Sequence, residues 1–407
     1  MRMIFLAILV LLSFLGMSQN EGDVKSIQLY PLGNELGDPI IRLGGNTPLL
    51  LEFDILGEEA PLLSYTIEHY SYNWEKSRIN PNEYIEGFAS GSINEYDFSF
   101  DSEQYYTHYT FEFPNRRAQP IVSGNYKIIV SDGGDVLFER SFMVTEQRVQ
   151  ITGQVDNAAG LGKRDSHHQI NFSMLYEGLS TINPREEFKV NVFQNMRPDN
   201  ALYNLQAQRV DAQRMYFNNP FKQNFDAGNQ FRWFNTKSFR YKTQGVVEYL
   251  QKTDGVHAYL IPDKVREATR FVPYNDFNGR FRIERQEGVN DDVNADYAFV
   301  HFYLQEQPSF ADKEVYLYGA LTNWKIDDKY KLEYDPKQNL LSTVQYLKQG
   351  NYDYTYLVKD GDSYTTSLTE GSTFRTENQY TIFAYYSPFG SRYDRLVGVS
   401  QLDSRFN

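Results

Sequence analysis

Alternation constrains this chain more than any other feature. From Val24 onward apolar and polar residues alternate with a period of two, in short runs stopped by Gly, Pro, Asn or Asp. Leu49-Leu50-Leu51-Glu52-Phe53, Leu63-Ser64-Tyr65-Thr66-Ile67, Tyr109-Thr110-Phe111-Glu112-Phe113 and Tyr126-Lys127-Ile128-Ile129-Val130 are examples. Successive side chains of a strand point to opposite faces, so each run buries one face as a strand and could not do so as a helix. The one candidate for helical periodicity, Ala201–Met215, is interrupted by Gln and Arg, and strand and loop are expected there. The expected class is all-β: tandem immunoglobulin-like β-sandwiches with a middle β domain.

An internal echo suggests the division into units. Gly124-Asn125-Tyr126 opens an alternating strand that ends in the turn Asp132-Gly133-Gly134, and Gly350-Asn351-Tyr352 opens another that ends in Asp360-Gly361-Asp362. In a sandwich corner Gly permits a sharp entry to the strand, and the Tyr packs at the sheet edge with its hydroxyl on backbone. The expected organisation is therefore a leader at residues 1–18, a first sandwich at 19–147, a middle β domain at 148–291, a C-terminal sandwich at 292–396 and a frayed tail at 397–407. Charged Glu284–Asp296 reads as the linker into the C-terminal unit.

The leader carries its own signature. Arg2 precedes Ile4–Leu15, apolar except for Ser13, and small residues Gly16 and Ser18 set a cleavage point before Gln19. This is the pattern of a secretory signal peptide, too short to span a bilayer comfortably. No later run is long and apolar enough to span as a helix. The chain contains no cysteine, which excludes disulfides, thiolate metal sites, iron–sulfur clusters and cysteine nucleophiles. Its net charge of −13 argues against a nucleic-acid binder, which needs a cationic face. With 32 Tyr and 29 Phe in 407 residues it is not a disordered chain either. An outer-membrane barrel needs apolar-faced segments of about ten residues, whereas most runs here are shorter and have long polar insertions on both sides.

A search for catalytic chemistry yields no candidate. Gly87-Phe88-Ala89-Ser90-Gly91 misses the spacing of a nucleophile elbow and lacks a strand–turn–helix context. Phosphate-binding glycine loops are absent. His167-His168 beside Asp165 are adjacent, so on a strand they point to opposite faces and cannot converge on a metal; a solvated turn is expected. Asp292-Val293-Asn294-Ala295-Asp296 begins like a calcium loop, but Tyr297 stands where Gly is needed and Tyr303 where a bidentate Glu is needed. His69 and His108 lie in aromatic strands and read as hydrogen-bonded structural histidines, and His257 and His301 have no recognisable partner. The expectation is a non-enzyme with no catalytic residue, metal or cofactor. Trp324, just after the alternating run Val315–Tyr318, is a candidate contact for a sugar ring or a partner.

Two resemblances extend this reading. Val315–Trp324, Gly350–Val358 and Asp360-Gly361 resemble the glycogen-binding-type immunoglobulin-like modules, in which a Trp after a Gly-Asn pattern and a second Trp after an Asp-Gly turn clamp a sugar. Trp324 matches the first platform, and Tyr364 stands near the place of the second. Nearly the whole chain resembles the type IX secretion system plug protein family of Bacteroidota. Matching strings include Val24-Lys25-Ser26-Ile27-Gln28-Leu29, Tyr65-Thr66-Ile67-Glu68-His69, Asn73-Trp74, Glu83-Tyr84-Ile85-Glu86-Gly87-Phe88, Phe113-Pro114-Asn115, Phe231-Arg232-Trp233-Phe234 and Asp276-Phe277-Asn278-Gly279. The family commonly shows His-Cys-Asp where this chain has His69-Tyr70-Ser71. The resemblance implies an exported, non-catalytic protein of the periplasm, associated with the outer membrane. Its partner would be the translocon barrel, whose periplasmic side it would seal when cargo or shuttle is absent. The other implied function is glycan binding through Trp324 and Tyr364.

Overall fold

The computed structural model describes residues 24–266, 271, 273–288 and 290–404. The expected leader lies outside them. The class is all-β: strands assemble into sheets packed in pairs, and among the described residues no sheet closes on itself.

The first sandwich is built from strands between Val24 and Thr145. One sheet runs in the order Val24–Pro31, Leu49–Leu56, Tyr106–Phe113, Glu95–Phe98. The facing sheet runs Ile40–Arg42, Asp135–Thr145, Gly124–Asp132, Leu63–Tyr70, Ser90–Ile93. Alternation sets which residues fill the gap. Leu49, Leu51 and Phe53 are buried against Ile67, Tyr126 and Ile128, and Leu50, Glu52 and Asp54 are left on the outer face.

The remainder is not divided as expected. The middle sandwich begins with Gln150–Asn157 and His167–Leu175, but its second sheet pairs Phe188–Gln194 with Gln379–Tyr386, and that strand with Arg395–Asp403. Val192 lies opposite Ile382, and Ile170, Val190, Tyr380, Ile382 and Val397 share one core. The chain leaves this sandwich after Asp226, builds a third, and returns to close the middle one. The third sandwich starts at Arg232–Asn235, which pairs with Gly350–Asp360, and its facing sheet runs Val246–Lys252, Gly255–Leu260, Tyr297–Gln305, Leu340–Lys348, Glu333–Asp335.

The expected boundary at 291 and 292 therefore falls inside the third sandwich. Glu284–Asp296 is part of that unit rather than a linker, and contains the short helix Asp291–Asn294, capped by the Asn290 side chain. The expected tail at 397–407 begins within a strand, with Val397 fully buried. Strands that close a sheet from a distance leave no mark on local periodicity, which is why the insertion was invisible in the sequence.

The echoed corners share one bond. The Tyr126 hydroxyl donates to the Val122 carbonyl at 2.8 Å, and the Tyr352 hydroxyl to the Lys348 carbonyl at 2.6 Å, each four residues upstream.

Candidate functional site

Each sandwich contacts the other two, and the junctions hold the polar groups of greatest interest. Between the first and third, the outer face of strand Leu49–Leu56 is covered instead of solvated. Asp54 lies opposite His108 in antiparallel register, and the His108 Nδ1 is 2.7 Å from Asp54 Oδ1. The other Asp54 oxygen accepts from Lys348 Nζ at 2.7 Å and from the Tyr297 hydroxyl at 2.6 Å, both from the third sandwich. Lys348 also sits 4.2 Å from the centre of the Tyr106 ring and donates to the Asp292 carbonyl. Burial works against the Asp54 charge, but Lys348 and His108 outweigh it and hold its carboxyl below the usual range. Burial likewise disfavours imidazolium at His108, but the carboxylates of Asp54 and Glu52 win and push it up to about 9. Nearby, Arg282 meets Glu35 at 2.8 Å, Arg280 pairs with Asp38, and Glu103 and Gln104 donate backbone N–H groups to the Asp296 carboxylate.

The other two junctions follow the same physics. Met143 of the first sandwich packs with Phe193, Phe383, Tyr385 and Leu396 of the middle one. Asn125 accepts from the Tyr385 hydroxyl at 2.8 Å, and Arg395 grips Glu146 through two nitrogens. Between the middle and third, buried Arg197 binds Asp199 in a fork, and Asp199 also accepts from Tyr318 at 2.9 Å. An Arg–carboxylate fork fixes orientation as well as charge. His168 donates from Nε2 to the Phe374 carbonyl at 2.7 Å and receives the Tyr380 hydroxyl on Nδ1, clasping the returning chain.

A cleft of about 440 Å³ opens where the three units meet. Tyr30 and Met143, Phe193 and Met196, and Phe281 and Trp324 line it. Trp324 is half-buried, with its ring edge-on to Phe231 and Tyr318. Tyr364 stands exposed on the hairpin after Gly350–Asp360, edge-on to Tyr316 and away from the cleft lining.

A second surface is an exposed sheet edge. Strand Glu95–Phe98 is the outermost of its sheet. Tyr96 is 43% exposed, Phe98 55% and Phe100 73%, with Tyr105 exposed beside them. An unpaired strand edge with an aromatic flank is a template for a partner.

Of the remaining histidines, one matches expectation and the others depart from it. His69 is the expected structural histidine, buried between Ser77 Oγ and the Ser123 carbonyl, and burial pushes it down to about 4. His168 is fully buried at the start of a strand, not in a solvated turn, while His167 points outward. His257 and His301 are hydrogen-bonded to each other at 2.8 Å. Their strands pair in parallel, a relationship no local motif encodes.

These junctions define a class: a multidomain β-sandwich protein whose three units are joined by ion pairs, hydrogen bonds and packed apolar side chains. A model of the type 9 secretion system plug protein first domain matches residues 24–146. The crystal structure of a hypothetical protein from Parabacteroides merdae is similar over 94% of this chain and 97% of that one, with 31% identity and a TM-score of 0.91. The chain belongs to the type IX secretion system plug protein family. An alkylpurine DNA glycosylase from Pseudomonas fluorescens (12% identity, 30% of each chain) has a TM-score of only 0.17 and carries no argument. No curated protein matches. The family ties the chain to type IX secretion and its outer-membrane component. No helix among the described residues is long and apolar enough to cross a membrane.

Proposed function

We propose that the protein is a non-catalytic periplasmic plug that seals the periplasmic side of the type IX translocon when cargo or shuttle is absent. Family membership carries the reading. The three-way junction supports it, because a stopper must present a preformed surface and lose little entropy on docking. The exposed edge around Phe98 and Phe100 is the surface proposed to dock, by adding to a sheet or lodging its aromatic rings. Glycan binding is supported less well: Trp324 is engaged edge-on by two rings, and Tyr364 packs elsewhere.

Deletion of the gene should admit large antibiotics through the outer membrane, and the tagged protein should co-isolate with the giant barrel. Phe98→Asp combined with Phe100→Asp should lose the barrel while the protein keeps its melting temperature. Unchanged exclusion of large antibiotics after deletion counts against the plug. Retention on an α-glucan column that Trp324→Ala abolishes would favour the glycan reading.

A further inference from the structure

The cluster between the first and third sandwiches contains one group that its ion pair holds only at long range. His108 Nδ1 is taken by Asp54, but Nε2 has no hydrogen-bond partner, although the side chain is only 8% exposed. That nitrogen faces Glu52 Oε1 at 3.6 Å. The other Glu52 oxygen is held by the Tyr30 hydroxyl, which leaves Oε1 toward the imidazole. The Asp292 carboxylate, on the short helix of the third sandwich, completes a set whose ligand atoms all lie within 4.8 Å of one another. A buried polar nitrogen left without a hydrogen bond is costly.

We propose that Glu52, His108 and Asp292 bind a divalent first-row transition ion that pins the third sandwich to the first.

Four observations converge. Two ligands about 2.1 Å from a tetrahedral ion lie about 3.4 Å apart, close to the Glu52–His108 separation. The imidazole selects against calcium and magnesium, which prefer oxygen alone. Asp54 supplies the carboxylate that orients a metal-binding histidine from its second nitrogen. The charges also balance once the ion displaces the proton on His108 Nε2: the three carboxylates of Glu52, Asp54 and Asp292 are then matched by Lys348 and the divalent ion. Lys348 and Tyr106 fix the helix by donating to the Asp292 carbonyl, so the third ligand is placed by the same side chains that join the two units. Three protein ligands leave a coordination position for water or a partner's side chain.

The test uses the full mature chain, stripped with chelator and titrated with Zn²⁺ by calorimetry, with Co²⁺ as the spectroscopic probe. One equivalent should bind, Co²⁺ should show visible absorption of a low-coordinate nitrogen–oxygen site, and Zn²⁺ should raise the melting temperature. His108→Gln should abolish binding. Should that variant not fold, Asp292→Asn decides the matter, because it alters a helix outside every sheet. It should weaken Zn²⁺ by at least about 100-fold, and Zn²⁺ should no longer raise its melting temperature. Asp254→Asn, beside the separate His257–His301 pair, should leave the affinity unchanged. Absence of binding in the parent chain, or equal affinity in Asp292→Asn, would overturn the proposal.

Discussion

Lys348 Nζ and Asp54 Oδ2 lie 2.7 Å apart across the seam of two sandwiches, separated by 294 residues of sequence, with side-chain exposures of 1% and 0%. Neither charge has water to fall back on. Removing either partner while the seam stays closed leaves the other charge buried and under-compensated.

Lys348→Met should therefore destabilise the protein by about 3–5 kcal/mol, the usual cost of breaking a buried ion pair by removing one partner. Reversible denaturation measures it. The double variant with Asp54→Asn should cost less than the sum of the two singles, since the two residues form one interacting unit. Full additivity would show that the pair is not coupled.

Gly279 holds a φ of +81°, and a Cβ there would lie 2.5 Å from Trp324 Cη2 and 2.6 Å from Phe231 Cε1. Gly279→Ala adds backbone strain to an overpacked contact, and about 2–3 kcal/mol of lost stability is expected. The ring must move, so the tryptophan emission should shift as well. An unshifted spectrum with unchanged stability would show that the loop is not packed on Trp324.

The two corner tyrosines offer a matched pair. Tyr126→Phe and Tyr352→Phe each remove one hydroxyl from a buried carbonyl and should each cost about 1–3 kcal/mol. They lie in different sandwiches, so their effects should add. A cost at one corner only would mean that the echo is one of sequence alone.

The acid limb of stability should reflect His168. Burial lowers it to about 4 from its ordinary 6.5. Between those values the unfolded chain binds a proton that the folded chain refuses. Its contribution is thus complete above pH 6.5 and is lost as the pH falls toward 4, amounting to about 3 kcal/mol. His69, also lowered to about 4 by burial, adds with the same sign. Denaturation curves at pH 7 and pH 4.5 should differ accordingly, and His168→Gln should shrink the difference. A difference unchanged in that variant would assign the acid sensitivity elsewhere.

Much of the molecule was legible in its alternation. The all-β class and the paired corners rest on contacts between near neighbours, where side-chain direction is fixed by the strand itself. Glu52, Asp54 and His108 were legible as the outer face of two strands, and a polar outer face ordinarily meets water. What covers that face comes from Tyr297, Lys348 and Asp292, residues with no local reason to approach it. The return of Gln379–Tyr386 to Phe188–Gln194 is of the same kind.

The sequence by itself determined which residues form strands and which side of each strand is apolar, because period-two patterning and turn residues act over a few positions. Only the tertiary structure decided which strands close which sheet, and which charged faces are taken out of water. Those choices depend on surfaces assembled from distant segments, and on whether a charge brought into the interior finds its counterpart there.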